Sequence, residues 1–374
     1  MCFYDRAYSI LKISWLPFLL VFHFFGLPAT SFAQSSTVVS IVGKKFYING
    51  NPTYQGVSWQ GYPVEGLLFN ARMVQGVFDD LNSQSQSQWK YPDTGAWDPD
   101  RNTNEFVAAM DEWYEHGLLA FTLNLQGGSP LGYGNRDWIN SAYDEVGNLR
   151  PAYFERLDKI LKKADDLGMV VILGLFYFGQ DQNLNDDAAI INATDNAMNW
   201  LFDKGYRNVL IEVCNETNVR YDHSILQPEG VHQLIERIQQ MENKGYRYLV
   251  STSYGGGTIP ERNVVETADF ILIHGNGVEE PERITEMVRE TRNVPGYTPM
   301  PIVFNEDDHY DFDQEDNNMV AALKAYASWG FFDFRRDGES YNEGYQSVPV
   351  DWRINSERKR SFFEKVEEIT GGLP

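Results

Sequence analysis

The amino-acid sequence predicts a single (β/α)8 TIM barrel, in which eight parallel strands form a closed ring inside a layer of helices. Apolar segments of strand length alternate with amphipathic helical segments along most of the chain, which predicts a parallel sheet buried on both faces. Several helical segments run into a glycine just before the next strand, the usual left-handed helix stop; these are Gly117, Gly168, Gly205, Gly245 and Gly330. Eight predicted strands favour the closed barrel over an open doubly wound sheet.

Residues 1–33 are predicted to be a secretory signal peptide and not part of the barrel. Basic residues near the N-terminus precede an apolar run over residues 13–28, and a Ser-Phe-Ala tripeptide ending at Ala33 supplies small residues where a signal peptidase cleaves. The run is shorter than the roughly 20 apolar residues of a membrane span. We therefore expect cleavage after Ala33, a catalytic barrel domain over residues 34–374, a secreted or periplasmic location, and no membrane attachment of the mature chain.

The predicted fold begins with a β-hairpin and then follows the barrel repeat. Two short apolar runs within residues 38–51 are separated by Gly-Lys-Lys and end in Asn-Gly-Asn, which is a hairpin pattern. The predicted barrel strands are residues 53–58, 118–125, 169–176, 208–213, 248–252, 270–274, 301–305 and 330–334. The predicted helices are residues 104–116, 151–167, 187–204, 230–244, 282–290, 319–328 and 356–370.

The loop after the first strand is predicted to be unusually long. Residues 59–117 separate the first two predicted strands, whereas about a dozen residues suffice for a loop and a helix. Because this segment follows the carboxyl end of a strand, it is expected on the face where barrels place their functional sites. We expect it to shape a cleft there. Arg72, within this segment, is a candidate partner for a carboxylate, with an ordinary surface arginine as the alternative.

The composition restricts the possible partners. The formal net charge is −22 and is distributed along the chain, so the surface repels phosphate backbones and anionic lipids. We expect no nucleic-acid or membrane partner, a neutral ligand, and a monomer. Once the leader is removed, Cys214 is the only cysteine, which excludes an intrachain disulfide and is typical of a small buried apolar residue.

Two predicted strands end in glutamates. The fourth continues into Asn215-Glu216, and the seventh ends at Glu306. Strands four and seven lie across the mouth of an eight-stranded barrel, so the carboxylates are expected to face each other. A facing pair can cleave a glycosidic bond, one protonating the leaving oxygen and the other attacking the anomeric carbon at about 5–5.5 Å separation. Because such pairs titrate apart, we expect Glu306 to be ionised and Glu216 protonated.

Residues 212–216, Glu-Val-Cys-Asn-Glu, resemble the fourth-strand Glu-x-x-Asn-Glu pattern of the clan A glycoside hydrolases, in particular the cellulase-like family 5. The hairpin followed by Pro-Thr-Tyr-Gln-Gly-Val-Ser-Trp resembles the usual entry into that barrel. The resemblance implies a retaining β-glycoside hydrolase with Glu216 as acid/base and Glu306 as nucleophile. Two positions depart from family 5, since Thr217 stands where Pro is usual and His274-Gly275-Asn276 replaces His-x-Tyr.

Further side chains near the predicted strand ends are candidates for binding a carbohydrate. Asn215 is expected to contact the 2-hydroxyl of the sugar, and His274 to line the site. The remaining candidates are Trp59 and Trp329 for stacking on sugar rings, and Asn124, Gln126, Tyr177 and Tyr254 for hydrogen bonds to sugar hydroxyls.

Three alternatives stay open at the level of the sequence. Glu216, His274 and the segment Glu306-Asp307-Asp308-His309 offer ligand types that also suit a metal-dependent barrel hydrolase. A catalytically inactive, glycan-binding barrel is the second alternative, and Asp308 in place of Glu306 as nucleophile is the third. We expect neither a metal nor a cofactor. The sugar, the linkage, and endo or exo action are not determined by these motifs.

Overall fold

The computed structural model describes residues 1–3, 37–133 and 137–373. Contacts between Cα atoms divide the chain into Met1–Ala33 and Gln34–Pro374, and the fold below belongs to the second unit. The predicted signal peptide and its cleavage site lie almost wholly outside the described residues. None of the helices in the described part has the length and apolarity that crossing a membrane requires.

The N-terminal strands close the end of the barrel at which the barrel strands begin. Strands β1 (Val39–Val42) and β2 (Lys45–Ile48) form the predicted antiparallel hairpin, and β3 (Asn51–Pro52) pairs with β2. A second small hairpin follows, with β4 (Ser58–Trp59) and β5 (Tyr62–Pro63). Phe46 is fully buried and packs edge-on against Phe270, just before the sixth barrel strand. The hairpin therefore caps the barrel floor, away from the carboxyl ends of the strands.

The eight barrel strands follow in chain order. They are β6 (Asn70–Arg72), β7 (Ala120–Asn124), β8 (Val170–Tyr177), β9 (Val209–Asn215), β10 (Leu249–Ser251), β11 (Ile271–His274), β12 (Ile302–Glu306) and β13 (Gly330–Phe331). Six strands form a sheet in the order β10-β9-β8-β7-β6-β13, and β11 pairs with β12. A parallel bridge between Val303 and Ser328 joins β12 to the last strand, and the Asp269 N–H donates to the Val250 carbonyl beside β10. The predicted (β/α)8 barrel is confirmed.

The helices lie between these strands. They are α1 (Pro99–Glu115), α2 (Pro151–Leu167), α3 (Asp187–Lys204), α4 (His232–Gln240), α5 (Arg262–Thr267), α6 (Pro281–Asn293), α7 (Asn318–Lys324) and α8 (Glu357–Thr370). Helices α2 and α3 end at Gly168 and Gly205 in the left-handed conformation, as predicted. Gly330 instead lies within β13, where a Cβ atom would stand 2.2 Å from Asn70 Oδ1. Gly330 is therefore required by close strand packing and not by a helix stop.

The first barrel strand was predicted in the wrong place. Of the predicted residues 53–58, residues 53–56 form turns and only Ser58 lies in a strand, β4. The first barrel strand is β6, which pairs with β7 and β13. Because β6 is three residues long and reads Asn-Ala-Arg, it lacks the apolar run that marks a buried strand. Arg72 thus ends a barrel strand. The long loop after strand one is shorter than predicted and covers residues 73–98.

A buried charge cluster joins α8 to the loop after β13. Lys359 is fully buried, donates from Nζ to the Asp351 carbonyl at 2.6 Å, and lies 4.2 Å from the ring centre of Tyr345. Burial lowers the pKa of Lys359 to about 7, although Asp333 and Asp351 act in the opposite direction. The folded protein therefore releases the Lys359 proton at a lower pH than the unfolded chain does.

Lys359 should make stability depend on pH in the mildly alkaline range. Between pH 7 and about pH 10 the unfolded chain holds a proton on Lys359 that the folded chain has lost, so stability rises with pH. The free energy of unfolding, measured in urea at several pH values, should rise relative to that of Lys359→Met over this range. Lys44→Met, at an exposed position of the first hairpin, is the control. A constant difference between wild type and Lys359→Met would contradict the expectation.

Candidate active site

Glu216 and Glu306 meet at the carboxyl ends of their strands. Glu306 is the last residue of β12, and Glu216 follows β9 directly. Each glutamate has an oxygen within 4.8 Å of the other and of a ring nitrogen of His274. Glu216 adopts the left-handed backbone conformation, with φ of 54°, and its N–H donates to Ser253 Oγ at 2.9 Å. The strand ends therefore place the two carboxylates on either side of one small space.

Glu306 is held by an ion pair with Arg72 and by a hydrogen bond from Asn276. Arg72 Nε lies 2.8 Å from Glu306 Oε2, and Asn276 Nδ2 donates to Glu306 Oε1 at 2.6 Å. Both side chains of the ion pair are buried, with 0% of Arg72 and 5% of Glu306 exposed. Burial raises the pKa of Glu306 above its usual range, while Arg72 and His274 oppose that rise. The predicted role of Arg72 as a carboxylate partner thus matches its position.

Glu216 is held by His274. The His274 ring is fully buried, and its Nδ1 lies 3.0 Å from Glu216 Oε1 and 3.6 Å from Glu306 Oε2. Burial raises the pKa of Glu216, but the hydrogen bond and charge of His274, with Arg72, outweigh it and leave that pKa lowered. Burial lowers the pKa of His274, but Glu306 and Glu216 outweigh it and leave that pKa raised. These two directions place the proton on His274 and leave Glu216 as a carboxylate.

This order of protonation is the reverse of the sequence prediction. In the free protein Glu306, whose pKa is raised, holds a proton more readily than Glu216, whose pKa is lowered. The cause is the histidine beside Glu216, because a cation favours the charged form of a neighbouring carboxylate. For Glu216 to become an acid, the proton on His274 Nδ1 has to cross the 3.0 Å hydrogen bond to Glu216 Oε1.

Three predicted binding residues lie at the carboxyl ends of β7, β8 and β9. Asn215 precedes Glu216 and is fully buried, and neither amide atom has a hydrogen-bond partner among the described residues. Asn124, at the end of β7, likewise has two unpartnered amide atoms and lies against Gly174 of β8. Tyr177 ends β8, its hydroxyl lies 2.9 Å from Ser129 Oγ, and the charges of Arg72, Glu306 and Glu216 all act on its pKa, which burial raises. Buried amides without partners are suited to a polar ligand.

Both tryptophans predicted to stack on sugars lie elsewhere. Trp59 is in β4 on the barrel floor, where its Nε1 donates to Glu368 Oε1 at 3.0 Å. The first barrel strand begins only at Asn70, eleven residues later. Trp59 therefore belongs to the small hairpin that precedes the barrel, and not to the carboxyl end of a barrel strand. Trp329 is fully buried against Phe312 and Phe362, and its Nε1 donates to Asp307 Oδ2 at 2.9 Å. Neither ring offers a face to a sugar between the glutamates.

Gln126 and Tyr254 are also engaged in the fold. Gln126 is fully buried, and its Nε2 donates to Ser141 Oγ at 3.1 Å and to the Gln180 carbonyl at 3.2 Å, which ties two loops together. Tyr254 is buried in the hydrophobic core, and the groups acting on its pKa include Glu261 and Cys214, not the glutamate pair. Their strand-end positions in the sequence did not reveal on which side of the strands these side chains lie.

Asn276 and Tyr133 are site residues that sequence reasoning missed. Asn276 stands where the family pattern has tyrosine, and it contacts Glu306 as described above. Its Nδ2 also lies 3.4 Å from the hydroxyl of Tyr133, which donates to Asp308 Oδ2. The sequence signal for Asn276 was its departure from His-x-Tyr, whereas Tyr133 lies in a loop without any motif.

The arrangement suits a proton-transfer and nucleophile pair better than a metal. The ligand atoms of Glu216, His274 and Glu306 are close enough to share an ion, as are those of Asp307, Asp308 and His309. The buried guanidinium of Arg72 already neutralises Glu306, however, and it repels a second cation. Asp307 is fully buried and accepts hydrogen bonds from Trp329 and Asn318, so it serves the packing of β12.

Comparison with known proteins identifies the fold. No protein-family model and no curated protein matches the sequence. Among solved structures, an endo-1,4-beta-mannanase from Rhizomucor miehei is 11% identical, with a TM-score of 0.54, over 89% of this chain and 99% of that chain. A family 5 mannosidase from the same organism is 12% identical (TM-score 0.52; 90% and 99% covered).

Two bacterial structures share the same architecture. A GH5-4 broad specificity endoglucanase from Bacteroides salanitronis is 10% identical, with a TM-score of 0.51, over 81% of this chain and 92% of that chain. A larger Bacteroides vulgatus chain (13% identity, TM-score 0.52) is matched over 90% of this chain but only 61% of its own length. The protein therefore has the barrel fold found in glycoside hydrolases of family 5, the family that its strand-end motifs resemble.

Proposed function

We propose that the protein is a retaining β-glycoside hydrolase that acts on β-linked oligo- or polysaccharides outside the cytoplasm. One observation carries the proposal: Glu216 and Glu306 present oxygens within 4.8 Å of each other at the ends of barrel strands four and seven. This upper limit is compatible with the separation of about 5–5.5 Å in retaining enzymes and lies below the roughly 6.5–9.5 Å of inverting enzymes. The predicted signal peptide supports export of the enzyme.

In the proposed mechanism Glu306 attacks the anomeric carbon. Arg72 and Asn276 hold both of its oxygens, which fixes the carboxylate and favours its charged form. Glu216 receives the proton of His274 and donates it to the leaving oxygen, and the glycosyl group is then bonded to Glu306. Glu216, again a carboxylate, removes a proton from water, which attacks the anomeric carbon and releases Glu306, and the proton on Glu216 then returns to His274.

The buried amides and the structural matches together indicate which substrates to test first. Asn124 and Asn215, at the carboxyl ends of β7 and β9, offer donors and acceptors without a hydrogen-bond partner among the described residues, which suits hydroxyl groups of a neutral sugar. The structural matches include a mannanase, a mannosidase and an endoglucanase, so β-mannans and β-glucans are the first substrates to test. We propose Glu306 as nucleophile, because the carboxylate of Asp308 is occupied by Tyr133 and by the Gly277 N–H.

Glu216→Ala tests the proposal most directly. With an oligosaccharide substrate, loss of the acid should lower kcat by about 10²- to 10⁴-fold. With a dinitrophenyl β-glycoside, whose leaving group needs no proton, the second step should limit the rate. Added azide should then restore turnover and give the β-glycosyl azide, observed by NMR. Glu155→Ala, on the exposed face of α2, is the control and should behave as wild type.

The same experiment separates the rival functions. An inactive glycan-binding barrel would turn over no aryl glycoside even as wild type, and a metal-dependent hydrolase would lose activity with a chelator. An α-configured azide product, or a Glu216→Ala enzyme as active as wild type on oligosaccharides, would show that Glu216 is not the acid/base.

A further inference from the structure

A chain of hydrogen bonds extends from Glu306 to the loop after the second barrel strand. The Asn276 amide nitrogen has two hydrogens, one directed at Glu306 Oε1 at 2.6 Å and the other at Tyr133 Oη at 3.4 Å. Tyr133 in turn donates its hydroxyl hydrogen to Asp308 Oδ2, and the Gly277 N–H donates to Asp308 Oδ1 at 3.2 Å. Three loops, after β7, β11 and β12, therefore meet at one hydroxyl group.

Tyr133 is fixed by packing on its other side. Its ring lies edge-on to Phe332, with ring centres 5.6 Å apart, and to Phe334, with ring centres 5.1 Å apart. Both phenylalanines follow β13. The ring is nevertheless 59% exposed, so the packing orients the hydroxyl without burying the side chain. Because the Tyr133 hydroxyl donates its hydrogen to Asp308, it accepts a hydrogen bond from Asn276. This arrangement requires the nitrogen of the Asn276 amide, and not its oxygen, to face Tyr133.

We infer that Tyr133 is a positioning residue for Glu306: its hydroxyl, anchored on Asp308, holds the Asn276 amide against the Glu306 carboxylate. The catalytic consequence rests on the proposed function, whereas the hydrogen-bonded chain does not. The titratable and charged groups facing Glu306 are Arg72 from β6, Tyr133, Tyr177 from β8, Glu216 after β9 and His274 from β11. All of these except Tyr133 stay unchanged in the variant Tyr133→Phe.

Tyr133→Phe should shift the ionisation of Glu306. Without the hydroxyl the Asn276 amide can rotate, and Glu306 loses part of a hydrogen bond to its charged form. The acidic limb of kcat/KM should move to higher pH by about half a unit in Tyr133→Phe and by about one unit in Asn276→Ala. The double variant should shift no further than Asn276→Ala alone, because Tyr133 acts through Asn276. Tyr62→Phe, on the barrel floor, is the control and should show no shift.

An NMR titration gives a second measurement that needs no turnover. The carboxyl carbon of Glu306 in ¹³C-labelled protein, assigned by its absence in Glu306→Gln, should titrate at higher pH in Tyr133→Phe than in wild type. An unchanged titration in Tyr133→Phe, or additive shifts in the double variant, would overturn the inference while leaving the proposed function intact. A shifted titration in a protein that hydrolyses no glycoside would keep the inference and remove the proposed function.

Discussion

Glu306→Gln should reduce kcat on β-glycosides by on the order of 10⁴-fold or more, because the amide cannot form the glycosyl-enzyme bond. The substitution keeps the size of the side chain and lets Asn276 and Arg72 remain near it, so binding should change far less than kcat. Steady-state kinetics on an aryl β-glycoside, with substrate binding measured by calorimetry, would separate the two effects.

Asp308→Asn is the matched comparison for Glu306→Gln. It removes a neighbouring carboxylate that contacts Tyr133 rather than the space between the glutamates. Its effect on kcat should stay within about tenfold, which corresponds to 1.4 kcal/mol of transition-state stabilisation. If Asp308→Asn abolished activity and Glu306→Gln preserved it, Asp308 would be the nucleophile and the proposed assignment would be wrong.

Arg72→Met should destabilise the protein by about 3–5 kcal/mol at neutral pH, the usual cost of leaving a buried charge without its partner. The guanidinium is fully buried and 2.8 Å from Glu306. Its removal raises the already raised pKa of Glu306 further. Above that pKa the folded variant has to bury an unpaired carboxylate, so the destabilisation should grow as pH rises and shrink as pH falls and Glu306 takes up a proton. Urea unfolding at pH 5 and pH 7.5 would measure both.

The double variant Arg72→Met/Glu306→Gln tests whether the unpaired Glu306 carboxylate causes the loss of stability. Because the unpaired charge is gone, most of the lost stability should return, and its dependence on pH should disappear. Arg247→Met is a suitable control, since its ion pair with Asp269 leaves the arginine side chain 43% exposed and such pairs contribute roughly 0–1 kcal/mol. Additive losses in the double variant would mean that Arg72 stabilises the barrel by packing alone.

Strand order and the ends of long strands were predictable from the sequence. β8 is a continuous apolar run and β9 and β12 begin with three apolar residues, and a buried strand that stops at a polar residue places that residue on the rim. Glu216, Glu306 and His274 were found in this way. β6 was missed because its residues Asn70 and Arg72 face a barrel interior that is charged, so their polarity concealed a buried position.

The contacts that set the orientation and the pKa of the two glutamates could not be predicted from the sequence. Asn276 and Tyr133 reach Glu306 from two loops, and nothing in the spacing of loop residues determines which loops converge. The abundance of aromatic residues was also misleading, because Trp59 lies in the small β4–β5 hairpin and Trp329 lies in the hydrophobic core. Which of Glu216 and Glu306 has the higher pKa could not be predicted either, since it depends on which of them lies 3.0 Å from His274.

Closure of the ring has a consequence for folding kinetics. β6 pairs with β13, so Asn70 lies beside Gly330 and its N–H donates to the Trp329 carbonyl, and the first hairpin contacts Phe270 through Phe46. Contacts across such sequence separations form late and slowly, because a long chain has to be closed before they contribute. A nascent chain that has not reached β13 can fold its helices and central strands but cannot complete the ring. Ring closure therefore depends on the whole length of the barrel having been synthesised.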